Sequence, residues 1–381
     1  MSDPKDGPKV ILTGGGTGGH VYPALALASA IGQLRPQADL LYIGGDRLEA
    51  KVIPAAGLAF RQIAVHGIAG DMPLGKRLRA LIELAAWVPL FQSLGVLRAF
   101  RPDVVIGTGG YVSGPVLLAA MLMRIPRVAL DGNRVPGWTS RLVARFADVV
   151  AVAHPEMATF FAARIRKGAR IEVTGLPIRA DIMLATREQG ARALGLDPAR
   201  TTVLLFGGSL GSRRLNEALR GALRHIAASG VPPGLQVLHV VGTRYAGGDE
   251  KAPEEISYRQ LPYLEPHYAD ALAAADLIIS RAGASTVAEL TARGLPAILS
   301  PWSLASTGEQ SLNAEPLGRA GAALVIPDQE LTADRLAQAL LELLNDRPRL
   351  ARMADAAKAL GRPGAAEAVA RIALELAERK S

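Results

Sequence analysis

The stretch VILTGGGTGGHVYPALALASAI, residues 10–31, decides the fold. VILT reads as a buried strand, the glycines as a sharp turn, and the Ala/Leu-rich run as a helix, with Pro23 expected in its first turn. A strand apolar on both faces needs cover on both, which is the condition of a parallel sheet held between helices. Working outward, further strands are expected at 40–44, 103–109, 127–132, 148–153 and 171–175, with helix-length segments between most of them. After Pro177 the pattern starts again, with strands expected at 202–208, 237–242, 277–280, 297–301 and 323–328. The expectation is an α/β fold of two doubly wound Rossmann-like domains, divided near residues 174–182 and facing a cleft lined by the loops at the carboxyl ends of both sheets. A last helix, from about Arg362 to Lys380, has the length to return to either domain.

The chain has 381 residues, 49% hydrophobic and 20% charged, a globular balance with room for at least two cores. Its net charge of +8 is unevenly placed: residues 1–177 hold 20 basic and 12 acidic side chains, while residues 178–381 hold 23 of each. The absence of cysteine excludes disulfides, zinc–thiolate sites, iron–sulfur clusters and a thiol nucleophile. The N-terminus is polar, so no secretory signal is expected. The longest apolar stretches, 81–91 and 112–123, fall short of the ~20 residues of a membrane span. Aromatic residues make up only 4% of the chain and no basic run is interleaved with them, so nucleic acid is not an expected partner.

The 40 glycines collect in strand-end loops. The first, TGGGTGGH (13–20), contains G-x-G-x-x-G at Gly14, Gly16 and Gly19 and is expected to offer bare N–H groups to an anion, which raises a nicotinamide dehydrogenase as first suspicion. His20, at the mouth of that turn, is a proton-exchanging candidate. The second, FGGSLGS (206–212), adds the hydroxyl of Ser209, and the third is TGGYVSGP (108–115). Three such loops suit a phosphorylated ligand plus a second substrate better than one dinucleotide. In SRAGASTVAEL (280–290) a turn at Gly283 and Ala284 opens a helix that Ser285 and Thr286 are expected to cap, leaving its N-terminus for a diphosphate. Glu289 lies one turn beyond Ser285 on the same face, where a carboxylate accepts both hydroxyls of a ribose. Farther on, Glu309, Gln310 and Asn313 are side chains able to grip sugar hydroxyls.

With TGGGTGGHVYPALALA, PDVVIGTGGYVSGPVLLAA, N-x-V-P-G from Asn133, VTGLPIR, FGGSLGS and SRAGASTVAELTARGLPAIL followed by EQSLNA, the chain resembles the MurG family over nearly its whole length. That family transfers N-acetylglucosamine from UDP-N-acetylglucosamine to undecaprenyl-diphospho-muramoyl-peptide (lipid I) in peptidoglycan synthesis. The resemblance implies the GT-B architecture: an acceptor- and membrane-binding domain at 1–177 plus about 360–381, reached by the last helix crossing back, and a nucleotide-sugar domain at 178–359. It assigns Glu289 to the ribose, Ala284, Ser285, Thr286 and Ser209 to phosphate, Glu309 and Gln310 to the donor sugar, and Tyr263 and Leu264 to the uracil. Thr17, Gly18, Asn133 and Arg179 are assigned to the donor's surroundings, and Gly16, Gly19 and Tyr111 to the acceptor side. Where the family usually reads H-E-Q-N, this chain has Leu130, Asp131, Gly132 and Asn133; Leu176 replaces the Asn of T-G-N-P, and Leu210 the Gln of G-G-S-Q-G. A MurG-like transferase with another acceptor fits the same residues, and a nicotinamide oxidoreductase and a non-catalytic nucleotide-sugar-binding scaffold are the rival classes.

The expected chemistry is an inverting transfer with His20 or Asp131 as the base. Loop amides and helix N-termini stabilise the departing diphosphate, so no metal or other cofactor is required. The chain contains no D-x-D. Residues 61–170 hold 15 basic and 6 acidic groups, and the segment 76–100 couples Lys76, Arg77 and Arg79 to apolar Trp87, Leu90 and Phe91. Such a helix lies on an anionic membrane rather than spanning it, which places the protein at the cytoplasmic face of the cell membrane.

Overall fold

The computed structural model describes residues 7–65, 87–247, 252–302 and 308–379. Contacts divide the chain into one unit of Met1–Arg179 with Gly364–Ser381 and another of Ala180–Pro363.

The first unit holds seven strands, β1 Lys9–Thr13, β2 Asp39–Gly44, β3 Ala59–Gln62, β4 Val104–Gly107, β5 Arg127–Asp131, β6 Val149–Val152 and β7 Arg170–Val173. They form one parallel sheet in the order β3-β2-β1-β4-β5-β6-β7. Its helices are α1 Gly18–Leu34, α2 Glu49–Ala55, α3 Val88–Phe100, α4 Ser113–Leu122, α5 Trp138–Val143 and α6 Pro155–Ala162. The second unit holds β8 Thr201–Phe206, β9 Leu235–Val240, β10 Ser257–Leu261, β11 Leu277–Ser280, β12 Ala297–Leu299 and β13 Ala323–Val325, all parallel, in the order β10-β9-β8-β11-β12-β13. Its helices are α7 Ala180–Leu184, α8 Arg187–Ala193, α9 Arg213–Ser229, α10 Tyr268–Ala274, α11 Ala284–Arg293, α12 Glu309–Arg319, α13 Ala333–Leu344 and α14 Arg347–Leu360.

The last helix, α15 Ala365–Glu378, belongs to the first unit, where it packs on α1 and against β4 and β5. Its buried stripe of Val369, Ala370, Ala373, Leu374 and Ala377 does the packing. The ion pairs Arg35–Glu378 (2.9 Å) and Arg170–Glu375 (3.2 Å) are largely exposed and add little beyond register.

In each unit the strand order reverses beside the first strand, between β1 and β4 and between β8 and β11. Those are the points where loops leave a sheet in opposite directions and open a crevice. The first and third glycine loops therefore meet at one switch point, and FGGSLGS and SRAGAST at the other. Isoleucine, leucine and valine of both faces fill the cores around the sheets.

Two strands were not expected, β3 (AFRQ) and β10 (SYRQL). Each is an outer strand of its sheet, β3 largely exposed and β10 partly so, and neither needs an apolar run. Helix α1 starts at Gly18, and Pro23 consequently sits in its second turn rather than its first.

Candidate functional site

In the second unit the β8 loop is tight because of its glycines: at Gly211, where φ is +84°, a Cβ would lie 2.0 Å from the Val241 carbonyl oxygen. The Ser209 carbonyl accepts from the backbone N–H and the hydroxyl of Thr243, both at 3.2 Å, which fixes the exposed tip of the loop. Arg281, first residue after β11, binds this loop to its neighbours. Its guanidinium donates to Ser212 Oγ (2.9 Å), to the Ser300 carbonyl (2.9 Å) and to Asp328 Oδ1 (2.5 Å). With Arg281 and Asp328 only 13% and 10% exposed, the pair is an internal tie across four strand ends.

The N-cap of α11 is Gly283, which has no side chain to offer, so the first-turn amides keep their donor capacity and positive potential. Ser285 and Thr286 lie inside the helix and do not cap it, contrary to expectation. Ser285 Oγ is instead buried with no hydrogen-bond partner. On the other side of the turn Asn313, 4% exposed on α12, donates through Nδ2 to the Ala282 carbonyl (3.1 Å) and leaves Oδ1 buried and unsatisfied. Two orphaned polar atoms flanking one helix N-terminus form a cradle short of hydrogen-bonding partners.

Glu289 is 7% exposed, and its Oε2 accepts the hydroxyl of Tyr268 at 2.6 Å. Tyr268, on α10, is held edge-on by Phe206 with ring centroids 5.7 Å apart. Glu309 opens α12, and burial pushes its carboxyl above the usual range. Gln310 Oε1 accepts the Trp302 N–H at 2.9 Å. Tyr263 is half-exposed beside Leu264, whose side chain lies in the core.

The first unit treats its glycine loop differently. The amide of Gly16, expected to face a ligand anion, donates to Glu49 Oε2 at 3.1 Å, and Gly45 donates to Glu49 Oε1 at 3.1 Å. Glu49 is 0% exposed. Tyr42 donates to the Gly14 carbonyl (2.9 Å), its phenol pushed far up by burial and by Glu49.

His20, half-buried in the first turn of α1, points Nδ1 at the Thr108 carbonyl (3.0 Å), and the Thr108 hydroxyl returns a bond to the His20 carbonyl (2.8 Å). A carbonyl only accepts, so Nδ1 carries the proton and Nε2 keeps its lone pair. Burial lowers the pKa of the ring, against the Thr108 bond and the charge of Glu49, so the imidazole is neutral at pH 7 and able to take a proton. Gly109 and Gly110 make room for it: a Cβ on Gly109 would lie 2.7 Å from Nδ1. A Cβ on Gly16 would lie 2.9 Å from the Tyr111 ring, over which Arg47 sits at 5.7 Å. Thr17 and Gly19 are exposed and Gly18 is half-buried at the start of α1.

Asp131 ends β5, is 4% exposed and commits Oδ1 to the Asn133 N–H at 2.9 Å, the geometry of a turn former. Leu130 and Leu176 are buried. Gly132 gives Leu176 its room, because a Cβ there would lie 2.6 Å from Leu176 Cδ1, so two departures from the family pattern are one packing event. Arg179 lies over the Tyr22 ring at 5.2 Å.

Trp87 and Phe91 are 56% and 67% exposed at the start of α3. Leu90, expected beside them on a membrane face, is 6% exposed and packs into the core, because α3 must cover the sheet with one side. Lys76, Arg77 and Arg79 lie outside the described residues. Among the described residues no helix is long and apolar enough to cross a membrane.

The sequence reading missed Glu49, Tyr268, Arg281 and Asp328. Each acts through another residue of the chain, and no local spacing announces that.

The profile of the glycosyltransferase family 28 N-terminal domain matches residues 10–152, and that of the family 28 C-terminal domain matches residues 202–369. The chain is 44% identical, over 97% of its length and 98% of the relative, to the UDP-N-acetylglucosamine–N-acetylmuramyl-(pentapeptide) pyrophosphoryl-undecaprenol N-acetylglucosamine transferase of Desulforudis audaxviator (strain MP104C). It is 43% identical to the protein of the same name from Moorella thermoacetica, over 97% of its own length and 99% of the relative. Among solved structures, Acinetobacter baumannii MurG superposes with a TM-score of 0.71 at 28% identity, over 97% of this chain and 99% of that one. The protein thus belongs to the MurG family of family 28 glycosyltransferases, with the two Rossmann-like domains of the GT-B architecture.

Proposed function

We propose that the protein transfers N-acetylglucosamine from UDP-N-acetylglucosamine to lipid I, with inversion at the anomeric carbon and no cofactor. The observation that carries the donor side is the α11 cradle. Uncapped helix amides, the orphaned Ser285 Oγ and the orphaned Asn313 Oδ1 surround one turn, and Glu289 lies one helical turn on. A diphosphate satisfies the amides and Ser285, sugar hydroxyls satisfy Asn313, and Glu289 receives the ribose. Ser209, Ala284 and Thr286 join the phosphate side, Glu309 and Gln310 the sugar, and Tyr263 with the backbone at Leu264 the base.

The first unit then serves the acceptor. His20 is the base, in preference to Asp131: with Nδ1–H given to Thr108, Nε2 is its basic nitrogen, whereas Asp131 is buried and has given one oxygen to Asn133. As Nε2 takes the acceptor hydroxyl proton, the hydroxyl oxygen attacks the anomeric carbon. The bond from that carbon to the diphosphate oxygen breaks, and UDP leaves with the electron pair. Tyr111, Gly16 and Gly19 border this side, and Thr17, Gly18, Asn133 and Arg179 attend the donor. The excess positive charge of residues 1–177 and the exposed Trp87 and Phe91 support a peripheral position on the anionic cytoplasmic face of the membrane.

The test is transfer of labelled N-acetylglucosamine to lipid I. The expected result is lipid II and UDP in equal amounts. UDP release without labelled lipid, or stabilisation by NADH and not by UDP, overturns the reading.

A further inference from the structure

A carboxylate with no exposure to solvent survives only where donors replace its water. Glu49 is such a group. Its Oε2 receives the Gly16 amide from the loop after β1 and its Oε1 the Gly45 amide from the loop after β2. The glycines around it give it space: a Cβ on Gly15 would lie 2.4 Å and one on Gly45 2.9 Å from Oε1, and one on Gly44 2.9 Å from Cγ. Bare amides and absent side chains around an anion are how a glycine loop holds phosphate. Here the anion is the chain's own, brought from 33 residues away. The loop so fixed leads directly into the first turn of α1, which carries His20.

We propose that Glu49 is a positioning residue for the transfer: it occupies the first glycine loop in place of a phosphate, fixes the turn that presents His20, and supplies the counter-charge for the imidazolium that His20 becomes. The last clause rests on His20 being the base. From the β4 loop the Thr108 carbonyl and Tyr111 stand near that site, Arg47 is drawn over the Tyr111 ring, and from α2 Glu49 faces it. The charge of Glu49 favours the protonated form of the ring.

Glu49→Gln keeps the shape and removes the charge, and its NH2 group faces one of the two amides it should accept from. His20 is titrated by NMR in the wild type and in this variant, with His20→Asn assigning the signal, and kcat is measured against pH in both. The expected result is a His20 midpoint at least about 0.5 pH units lower in Glu49→Gln, an acid limb of kcat that moves with it, and a maximal kcat about 10–100-fold lower, with KM for UDP-N-acetylglucosamine within about threefold. A structural role alone lowers kcat without moving either midpoint, and an unmoved His20 midpoint overturns the proposal. A shift in the NMR midpoint with no shift of the acid limb supports the hold of Glu49 on the ring and overturns His20 as the base. Where Glu49→Gln does not fold, hydrogen exchange of the wild type decides. Gly16 and Gly45 amides protected like the β1 core support the clamp, and exchange at free-loop rates overturns it.

Discussion

Replacing Glu289 by Gln tests the proposed nucleotide site. In the free protein Glu289 Oε2 accepts the Tyr268 hydroxyl at 2.6 Å, and the carboxylate is 7% exposed. Bound ribose supplies two hydroxyl donors. Bonds to a charged acceptor contribute about 1.5–3 kcal/mol each and neutral ones about 0.5–1.5. Gln retains one acceptor oxygen, which Tyr268 already occupies, and its NH2 group cannot accept. Both ribose bonds are lost, about 3–6 kcal/mol, so the Kd for UDP by calorimetry should rise at least about 100-fold. Tyr268→Phe removes only the outer bond and should weaken UDP about 2–10-fold. Both changes act through one carboxylate, so the double variant should bind UDP no more than about twofold worse than Glu289→Gln alone. 2′,3′-dideoxy-UDP should bind the wild type as weakly as UDP binds Glu289→Gln. A Kd for UDP within about threefold of wild type in Glu289→Gln refutes the ribose assignment.

Arg281→Lys keeps a charge but loses the planar fork that reaches Ser212, Ser300 and Asp328 together; KM for UDP-N-acetylglucosamine should rise about tenfold, measured by initial rates, with Ser300→Ala well below that. His239 is fully buried between Tyr258 and Asn216, and burial depresses its pKa to about 3. Its stabilising contribution is therefore complete above the unfolded value of about 6.5 and is lost below it by about 1.4 kcal/mol per pH unit, or about 2 kcal/mol at pH 5; urea unfolding of the second unit should show that slope, flattened in His239→Gln. Trp87→Glu with Phe91→Glu should abolish co-sedimentation with anionic vesicles while leaving UDP binding within about twofold.

What was legible in the sequence was whatever is written in consecutive residues. Inner strands such as LLF (204–206) and VVIG (104–107) are apolar on both faces because helices cover both, and their runs announce them. AFRQ and SYRQL lie at sheet edges and include exposed Arg61 and Arg259, so the same rule passes over them. The helix face shared by Ser285 and Glu289 follows from the 3.6 period and was readable. That Ser285 does not cap depends on the turn stopping at Gly283, a matter of one residue in backbone geometry. Leu90 could not be told from Trp87 and Phe91 by hydrophobicity, since only packing says which apolar residue meets the sheet. Tyr268, Asp328 and Glu49 became visible only when distant strand ends were brought side by side.

Both units build the same device, two loops leaving adjacent parallel strands where the order of the sheet reverses. A switch point lined with amides attracts an anion whichever unit it is in. In the first unit the chain supplies that anion itself, as Glu49, so a diphosphate arriving at Gly16 would meet a carboxylate already on the amide and be repelled by it. This is why G-x-G-x-x-G at Gly14, Gly16 and Gly19 is not a dinucleotide site here, and why the nicotinamide reading fails on geometry as well as on kinship. In the second unit Arg281 and Asp328 cancel one another off to the side, Gly283 caps nothing, and Ser285 Oγ stays without a partner. Among the described residues no acidic side chain hydrogen-bonds to that turn, which favours an anion supplied by a ligand. The proposed division follows the same logic: the unit whose loop is left to be filled is the one proposed to take the nucleotide-sugar, and the unit whose loop is filled by Glu49 is the one proposed to hold His20 for the acceptor's proton.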